Sequence, residues 1–547
     1  MHKLLSGFLP SFWACLAVLL LASCGGVDSS VPAKASFVPA DGQVNLTNST
    51  PTNVNAYAAA RFLEQASWGP NPASVLEVQR LGMEGWIDAQ LKKPATVLNA
   101  PNYVIDFDDQ NQAQNNLAFG WLFLRIYDLA FGGEDQLRQR MAWAIYNFIP
   151  IGNTQSYGRV QYFNTLQKYS TGKYIDLLRE VTLSPVMGAF LNNDQNIASS
   201  PNENYAREVM QLFSVGLSLL NQDGTIKRTS AGAPIETYTQ ADVIAATKAL
   251  SGWNMVYEAN LPKTNWANFA KRMIPRSYDQ AHDSTEKKVL SKTIPAGQNI
   301  TADLDSFLSI LTQHPNNAPF VVRRLIQSFV SSDPSPEYMT RMSKVYTDSQ
   351  GDLSKVIKAI LLDPEARMAD DPTKQSAKVG KIKEPVLYYT NLMRGLGCTS
   401  SVKSSYSPTQ PFMPNGQRAY EAPNVFGFFP PNHKAPESLT PAPEQKLLTS
   451  AEIRDRAQNL SWDVFNVYKN FEEAGCEFKL FTSAVETSNL ALVNLVSERF
   501  FKGAMPAPIR LGALNLLNNE MSSFSSIDKV TYLLQVVLST PTFGVVK

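Results

Sequence analysis

After about residue 56, apolar positions recur along most of the chain at three- and four-residue steps, the period of an amphipathic helix. "YAAARFLEQASWG" closes at Gly69. "NPASVLEVQRLG" opens with Asn71 as N-cap and Pro72 at the first helical position, and stops at Gly82. "EGWIDAQL", the long apolar "NNLAFGWLFLRIYDLAFGG", "EDQLRQRMAWAIYNFI" and "GKYIDLLREVTLS" follow in the same texture. "TQADVIAATKALSGW" starts at a capping box of Thr239 and Asp242 and stops at Gly252. "LDSFLSILTQH", "APFVVRRLIQSFV", "PEYMTRMSKVYTD", "LSKVIKAILL" and "KEPVLYYTNLMRGLG" extend the series, and helices resume at "AEIRDRAQNLSWDVFNVYKNF". The expected fold class is mainly α: a multi-helix body with one small β-hairpin insertion and a long Pro/aromatic-rich loop.

Two stretches break the period. "NQDGTIKRTSAGAPIETYT", Asn221 to Thr239, sets Asp-Gly and Ala-Gly turn signals among short β-type runs and predicts the hairpin. Its Asn221-x-Asp223-Gly224 is not a calcium loop, because the first ligand position falls on Leu219 and the closing acidic residue is missing. From Ser407 to Pro443 the chain holds nine prolines, a density no regular helix survives. Phe412, Tyr420, Phe426, Phe428 and Phe429 in that stretch argue for an ordered loop, since disordered tracts are poor in aromatics.

The N-terminal pattern is different again. Lys3 is the only formal charge in "MHKLLSGFLPSFWACLAVLLLASC", whose apolar run from Phe12 to Ala22 is too short for a stable membrane span. Leu21-Ala22-Ser23-Cys24 resembles the bacterial lipoprotein signal, which implies acylation of Cys24 and firm anchoring through several chains. Gly25 in place of Asp implies the outer rather than the inner membrane. The expected organisation is a signal peptide over 1–23, a tether over 24–55, a main helical domain over 56–395 with the hairpin near 221–239, the Pro/aromatic loop over 396–446, and C-terminal helices over 447–547 packing on the body.

Without Lys3 the chain carries 48 basic residues of its 49 against 48 acidic ones. That balance leaves no basic footprint for nucleic acid. Cys15 lies in the signal and Cys24 is the lipid site, so Cys398 and Cys476 remain. They either pair, which the chain-entropy view credits with about 4–5 kcal/mol, or stay as buried thiols. No CxxC is present, so neither a redox motif nor a zinc knuckle is supported.

Six stretches in order, "AARFLEQASWGPNPASVLEVQRLGMEGWIDAQL", "NENYAREVMQLFSVG", "TYTQADVIAATKALSGW", "HDSTEKKVL", "HPNNAPFVVRRLIQSFV" and "PNVFGFFPP…APE", resemble the domain-of-unknown-function-eighteen-hundred family of bacterial envelope and secreted proteins. The resemblance implies a mostly helical body, often encoded beside a secreted protein with a phosphatase- or sulfatase-like body. It supplies no activity, cofactor or catalytic residue. Ser291 departs from it, standing where the family shows Gly.

Chemistry is sought first in "PNENYAREVMQLFSVGLSLL". At about 100° per residue, Glu203, Asn204, Arg207, Glu208, Gln211 and Ser214 share one polar arc. Tyr205, Ala206, Val209, Met210, Leu212, Phe213 and Leu217 fill the other side. A solvated helix face accounts for the arc. The alternative is a cleft in which Glu203 and Glu208 meet His282 and Asp283 as a carboxylate/His site. Such a site suits a hydrolase and allows a divalent metal. No HExxH, GxSxG, P-loop or GxGxxG accompanies these residues, and no cofactor is expected. His314 reads as structural, and one of Arg323 and Arg324 is expected to pair with a carboxylate. Asn204, Arg207, Gln211, Phe426, Phe428 and Phe429 are the binding candidates, the phenylalanines for a partner peptide or a sugar polymer. The leading functional expectation is a lipid-anchored, non-catalytic scaffold for a partner protein or polysaccharide.

Overall fold

The computed structural model describes residues 53–101, 112–152, 156–257, 267–278, 280–374, 380–400, 403–404, 407–411, 417–434, 441–451, 453–454, 456–458, 460 and 475–546. The signal, Cys24, nearly all of the tether and Phe412 lie outside these residues.

The fold is mainly α, as the periodicity predicts. Helix α1 (Ala56–Ala66) is capped by the Asn55 side chain and is buried along almost its whole length. α2 (Pro72–Lys92) opens on a reciprocal capping box between Asn71 and Ser74. Gly82, at φ 73°, kinks this helix and the chain then resumes it, so the predicted stop is a bend. α3 (Gln112–Gly132), α4 (Gln136–Tyr146), α5 (Ser156–Tyr169) and α6 (Tyr174–Thr182) follow, and every residue of α4 is buried. α7 (Asn204–Gln211) and α8 (Gln240–Ala249) flank the irregular segment 212–239, and α8 carries the predicted Thr239/Asp242 capping box. α9 (Ile300–Gln313), α10 (Asn317–Phe329), α11 (Pro336–Asp348), α12 (Leu353–Leu362) and α13 (Pro385–Gly395) complete the body. α14 (Phe478–Thr487), α15 (Asn489–Phe501), α16 (Ala507–Asn515) and α17 (Ser526–Leu538) form the C-terminal group. Phe500 of α15 lies directly against Gly395, and the Tyr388 hydroxyl donates to the Leu538 carbonyl at 2.7 Å, so this group shares the core of the body.

Strands are short and paired two by two: β1 (Trp253–Asn254) with β2 (Ile274–Pro275), β3 (Lys287–Val289) with β4 (Lys292–Ile294), β5 (Lys381–Ile382) with β8 (Val545–Val546), and β6 (Lys403–Ser404) with β7 (Ser407–Pro411). The hairpin predicted over 221–239 is a looser object. Single antiparallel bridges join Ser218 to Glu236, Leu220 to Ile226 and Arg228 to Pro234, on largely exposed backbone. The regular two-residue hairpin is β3–β4. Its turn residues Leu290 (φ 48°) and Ser291 (φ 64°) both take the positive φ that a type I′ turn demands. Gly would adopt that conformation without a Cβ penalty, which explains why Ser291 stands out in the sequence. The Leu290 amide donates to Asp242 Oδ1 at 2.7 Å and ties the turn to the start of α8.

Cys398 and Cys476, 1% and 8% exposed, are joined as a disulfide across a sequence separation of 78. Buried charge is the other unusual feature of the core. Glu64 of α1 takes Lys383 Nζ and Lys502 Nζ at 2.9 Å each. Burial alone would raise the Glu64 carboxyl; the two ammonium groups outweigh it and hold the group at about 2. Burial pushes the Lys383 ammonium down, against the pull of Glu64. A carboxyl depressed in the folded state stabilises the fold above its unfolded pKa, and that contribution is lost as pH falls through the folded value. Glu64→Gln is therefore expected to cost on the order of 3 kcal/mol at pH 7. The gap from the wild type should close between about pH 4.5 and pH 2 in urea unfolding followed by circular dichroism.

Candidate functional site

The polar face of α7 is shorter than its sequence suggests. The helix ends at Gln211, so Ser214 turns inward, fully buried, and its hydroxyl donates to the Val209 carbonyl at 2.6 Å. Leu217, expected on the apolar side, is instead 58% exposed. Tyr205, Ala206, Val209 and Met210 face the core as predicted. Glu203 pairs with Arg207 at 2.9 Å, and its two carboxylate oxygens accept from the Gln240 amide. Asn204 donates to Asn192 Oδ1 at 3.2 Å on the surface. Gln211 is reached by the Tyr238 hydroxyl only at 3.5 Å. Glu208 is half-buried and its Oε2 has no hydrogen-bond partner among the described residues. Burial raises its carboxyl, with Arg207 pulling the other way.

His282 and Asp283 belong to a different group. His282 sets Nδ1 2.9 Å from the Ser251 carbonyl and Nε2 3.0 Å from Asp303 Oδ2. Asp303, in the first turn of α9 and fully buried, also takes Lys287 Nζ at 2.7 Å. Asp283 accepts from the amide and hydroxyl of Thr285 and lies 3.4 Å from Lys248. These contacts clamp the β3–β4 hairpin to the ends of α8 and α9. Glu203 meets Gln240 at the first residue of α8, whereas His282 meets Ser251 just beyond its last. Eleven residues of rise at about 1.5 Å each separate those two points. No hydrogen bond or ion pair joins either glutamate to His282 or Asp283. Among the described residues no group of three or more His, Cys, Asp or Glu is placed to hold a metal ion.

His314 Nδ1 accepts from the Asn316 amide at 3.1 Å, a turn contact. Asn316 and Asn317 do not cap α10 with their side chains. They reach across to the carbonyls of Val215, Ser218 and Ser214 and hold the segment after α7 against α10.

The Pro/aromatic loop is where exposed aromatics and buried charge meet. Its backbone turns at Gly427, whose φ is 74° and where a Cβ would lie 2.7 Å from the Asn147 carbonyl oxygen, so only Gly fits. Asn424 shapes the turn by accepting from the Phe426 amide at 2.9 Å. The turn sends neighbouring phenylalanines opposite ways. Phe428, 7% exposed, packs on Trp143 and Tyr146 of α4, and Tyr420 is buried 4.6 Å from the Tyr146 ring. Phe429 is half-buried, and Phe426 stays 48% exposed.

Beneath Phe426 lies a cavity of about 60 Å³, room for a few waters or a small polar group. Its apolar wall is Ala144, Phe148, Leu212, Val425, Phe426, Phe429 and two prolines; its polar wall is Asn147, Arg324, Gln327, Ser328, Lys381, Glu384 and Glu444. Lys381 donates to the carbonyls of Gln327 (2.9 Å) and Ser328 (3.0 Å) at the end of α10 and lies 3.6 Å from Glu384. Glu384 Oε2 accepts from Gln417 (2.7 Å) and Asn147 (3.2 Å), while its Oε1 makes no hydrogen bond among the described residues. Glu444 accepts from the Ser332 hydroxyl. Neither Arg323 nor Arg324 forms the expected carboxylate pair. Arg323 donates to the Gly224 carbonyl at 2.8 Å, and Arg324 rests over the Phe320 ring at 5.0 Å with no hydrogen bond or ion pair among the described residues.

Sequence reasoning missed Lys381, Glu384 and Gln417, and gave one of Arg323 and Arg324 a carboxylate partner that neither has among the described residues. The usable signal was "KIKEP", three charges in a four-residue run directly before the apolar helix "VLYYTNLM".

A family model described as "Protein of unknown function (DUF1800)" matches residues 61–545. Comparison with curated proteins and with solved structures returned no match.

The opposed placement of the loop aromatics has a direct consequence for stability. Phe428→Ala is expected to cost about 3–5 kcal/mol, and Phe426→Ala less than about 0.5 kcal/mol, in urea unfolding of the two variants.

Proposed function

The chain belongs to the DUF1800 family, and on that premise we propose that it works by binding. On this reading it is a lipid-anchored envelope scaffold whose partner, a second envelope protein or a polymer, docks at the mouth of the cavity under the Pro/aromatic loop. The observation that carries the reading is Phe426, about half exposed on a turn that Gly427 fixes against the body, at the rim of a cavity walled by charged side chains. Aromatic groups on rigid supports beside desolvated polar groups are the pattern of binding hot spots. The lipoprotein-like segment ending at Cys24 supports an anchored location, with outer-membrane retention following from Gly25. The hydrolase reading has less behind it. Glu203, His282 and Asp283 are each committed to local partners, and only Glu208 keeps a free carboxyl oxygen with the raised pKa a general acid would use.

The test places a benzophenone amino acid at position 426, or at the 69%-exposed Leu511 as a surface control, in the full-length protein in intact cells. Illumination should give one discrete adduct from position 426 and none from 511. Cys24→Ser should release the chain from the membrane fraction and weaken the adduct. Protease or glycosidase sensitivity then identifies the adduct as protein or polymer. No adduct at 426, or equal labelling at both positions, would overturn the docking site; membrane retention of Cys24→Ser would overturn the anchor.

A further inference from the structure

We propose that the cavity receives the C-terminal carboxylate of a partner polypeptide and that Arg324 is the group that binds it, an assignment that rests on the docking reading above. Four charged side chains line the cavity, and three are already engaged. Lys381 is spent on two helix-end carbonyls and Glu384, Glu384 on Lys381, Asn147 and Gln417, and Glu444 on Ser332. Of the four, Arg324 alone makes no hydrogen bond or ion pair among the described residues; its guanidinium lies over the Phe320 ring. Burial, with Arg323 adding to it, lowers its guanidinium to about 9, and no carboxylate among the described residues acts to raise it. Arg324 is half-buried on the cavity wall, and an anion entering the cavity would supply the counter-charge that no described carboxylate gives it. Arg also offers the planar fork that grips a carboxylate through two parallel hydrogen bonds.

The apolar wall selects which carboxylate. Leu212, Phe426 and Phe429 line the same cavity as Arg324. An Asp or Glu side chain in mid-chain would drag backbone amides on both sides against this wall and bury them without partners. A chain terminus has amide backbone on one side only and lays its last side chain on Phe426. The cavity is small enough for the carboxylate to enter while the rest of the partner stays outside.

The probe is N-acetyl-4-fluorophenylalanine, observed by fluorine NMR line broadening with the intact mature protein. Its primary amide and inorganic phosphate serve as comparison ligands. The acid should broaden and the amide should not. Arg324→Gln should weaken binding of the acid at least tenfold, with Arg324→Lys recovering part of it. Equal binding of acid and amide, unchanged binding to Arg324→Gln, or displacement of the acid by phosphate at far lower concentration than its own would each overturn the assignment. Should Arg324→Gln fail to fold, the acid–amide comparison on the wild type decides. A discrete cross-link at position 426 together with equal binding of acid and amide would leave the docking site standing and remove only the carboxylate.

Discussion

Charged groups withdrawn from water must each find a partner, and in this molecule one short segment, Lys381 to Glu384, carries three of them into the core. Lys381, Lys383 and Glu384 are 5%, 1% and 1% exposed. Each reaches a different part of the chain: Lys381 the last turn of α10, Lys383 the last turn of α1, and Glu384 both the end of α4 and Gln417 of the Pro/aromatic loop. An uncompensated buried charge costs several kcal/mol, so the segment is tolerated only when all four neighbours are in place. Its pairing with Val546 in the β5–β8 ladder brings the C-terminal end of the chain into the same arrangement.

That arrangement also makes the candidate site. The cavity lies where Lys381 and Glu384 emerge between α4, α10 and the loop, and the loop covers it because Tyr420 and Phe428 are fixed against α4. Arg140 of α4, between the rings of Trp68 and Phe329, donates to the Ser328 carbonyl that Lys381 also uses. A site framed by interlocked buried charges is held rigid, which favours binding over induced closure. Among the described residues Arg324 is the charged group of the cavity wall left without a counter-charge.

Much of this was legible in the sequence, and the rest was not, for physical reasons. Helical period and caps such as Asn71 and Thr239 are local properties, so they transfer directly to structure. The end of α7 was missed because Phe213 and Ser214 continue the helical period; the carbonyls of Ser214 and Val215, just beyond the helix, are instead held by Asn317 and Asn316 from about a hundred residues away. Phe426 and Phe428 are indistinguishable by type, and only the turn at Gly427 makes one a core residue and the other a rim. The buried charges resisted most. "KIKEP" reads as solvated charge because its partners, Glu64, Asn147 and Gln417, are scattered along the chain. His282 was found as a residue of interest, but its partner Asp303 was hidden inside an ordinary apolar helix.

Hydrogen exchange of the Glu384→Gln variant, read by mass spectrometry, bears most directly on the claim that the buried charges of one segment hold both the fold around the cavity and its cover. The account predicts faster exchange together in residues 381–386, at the end of α10 around 325–330, and in the loop over 417–431, with the C-terminal helices α14 to α16 unchanged. Faster exchange confined to 381–386, with the loop and α10 at wild-type rates, would contradict it.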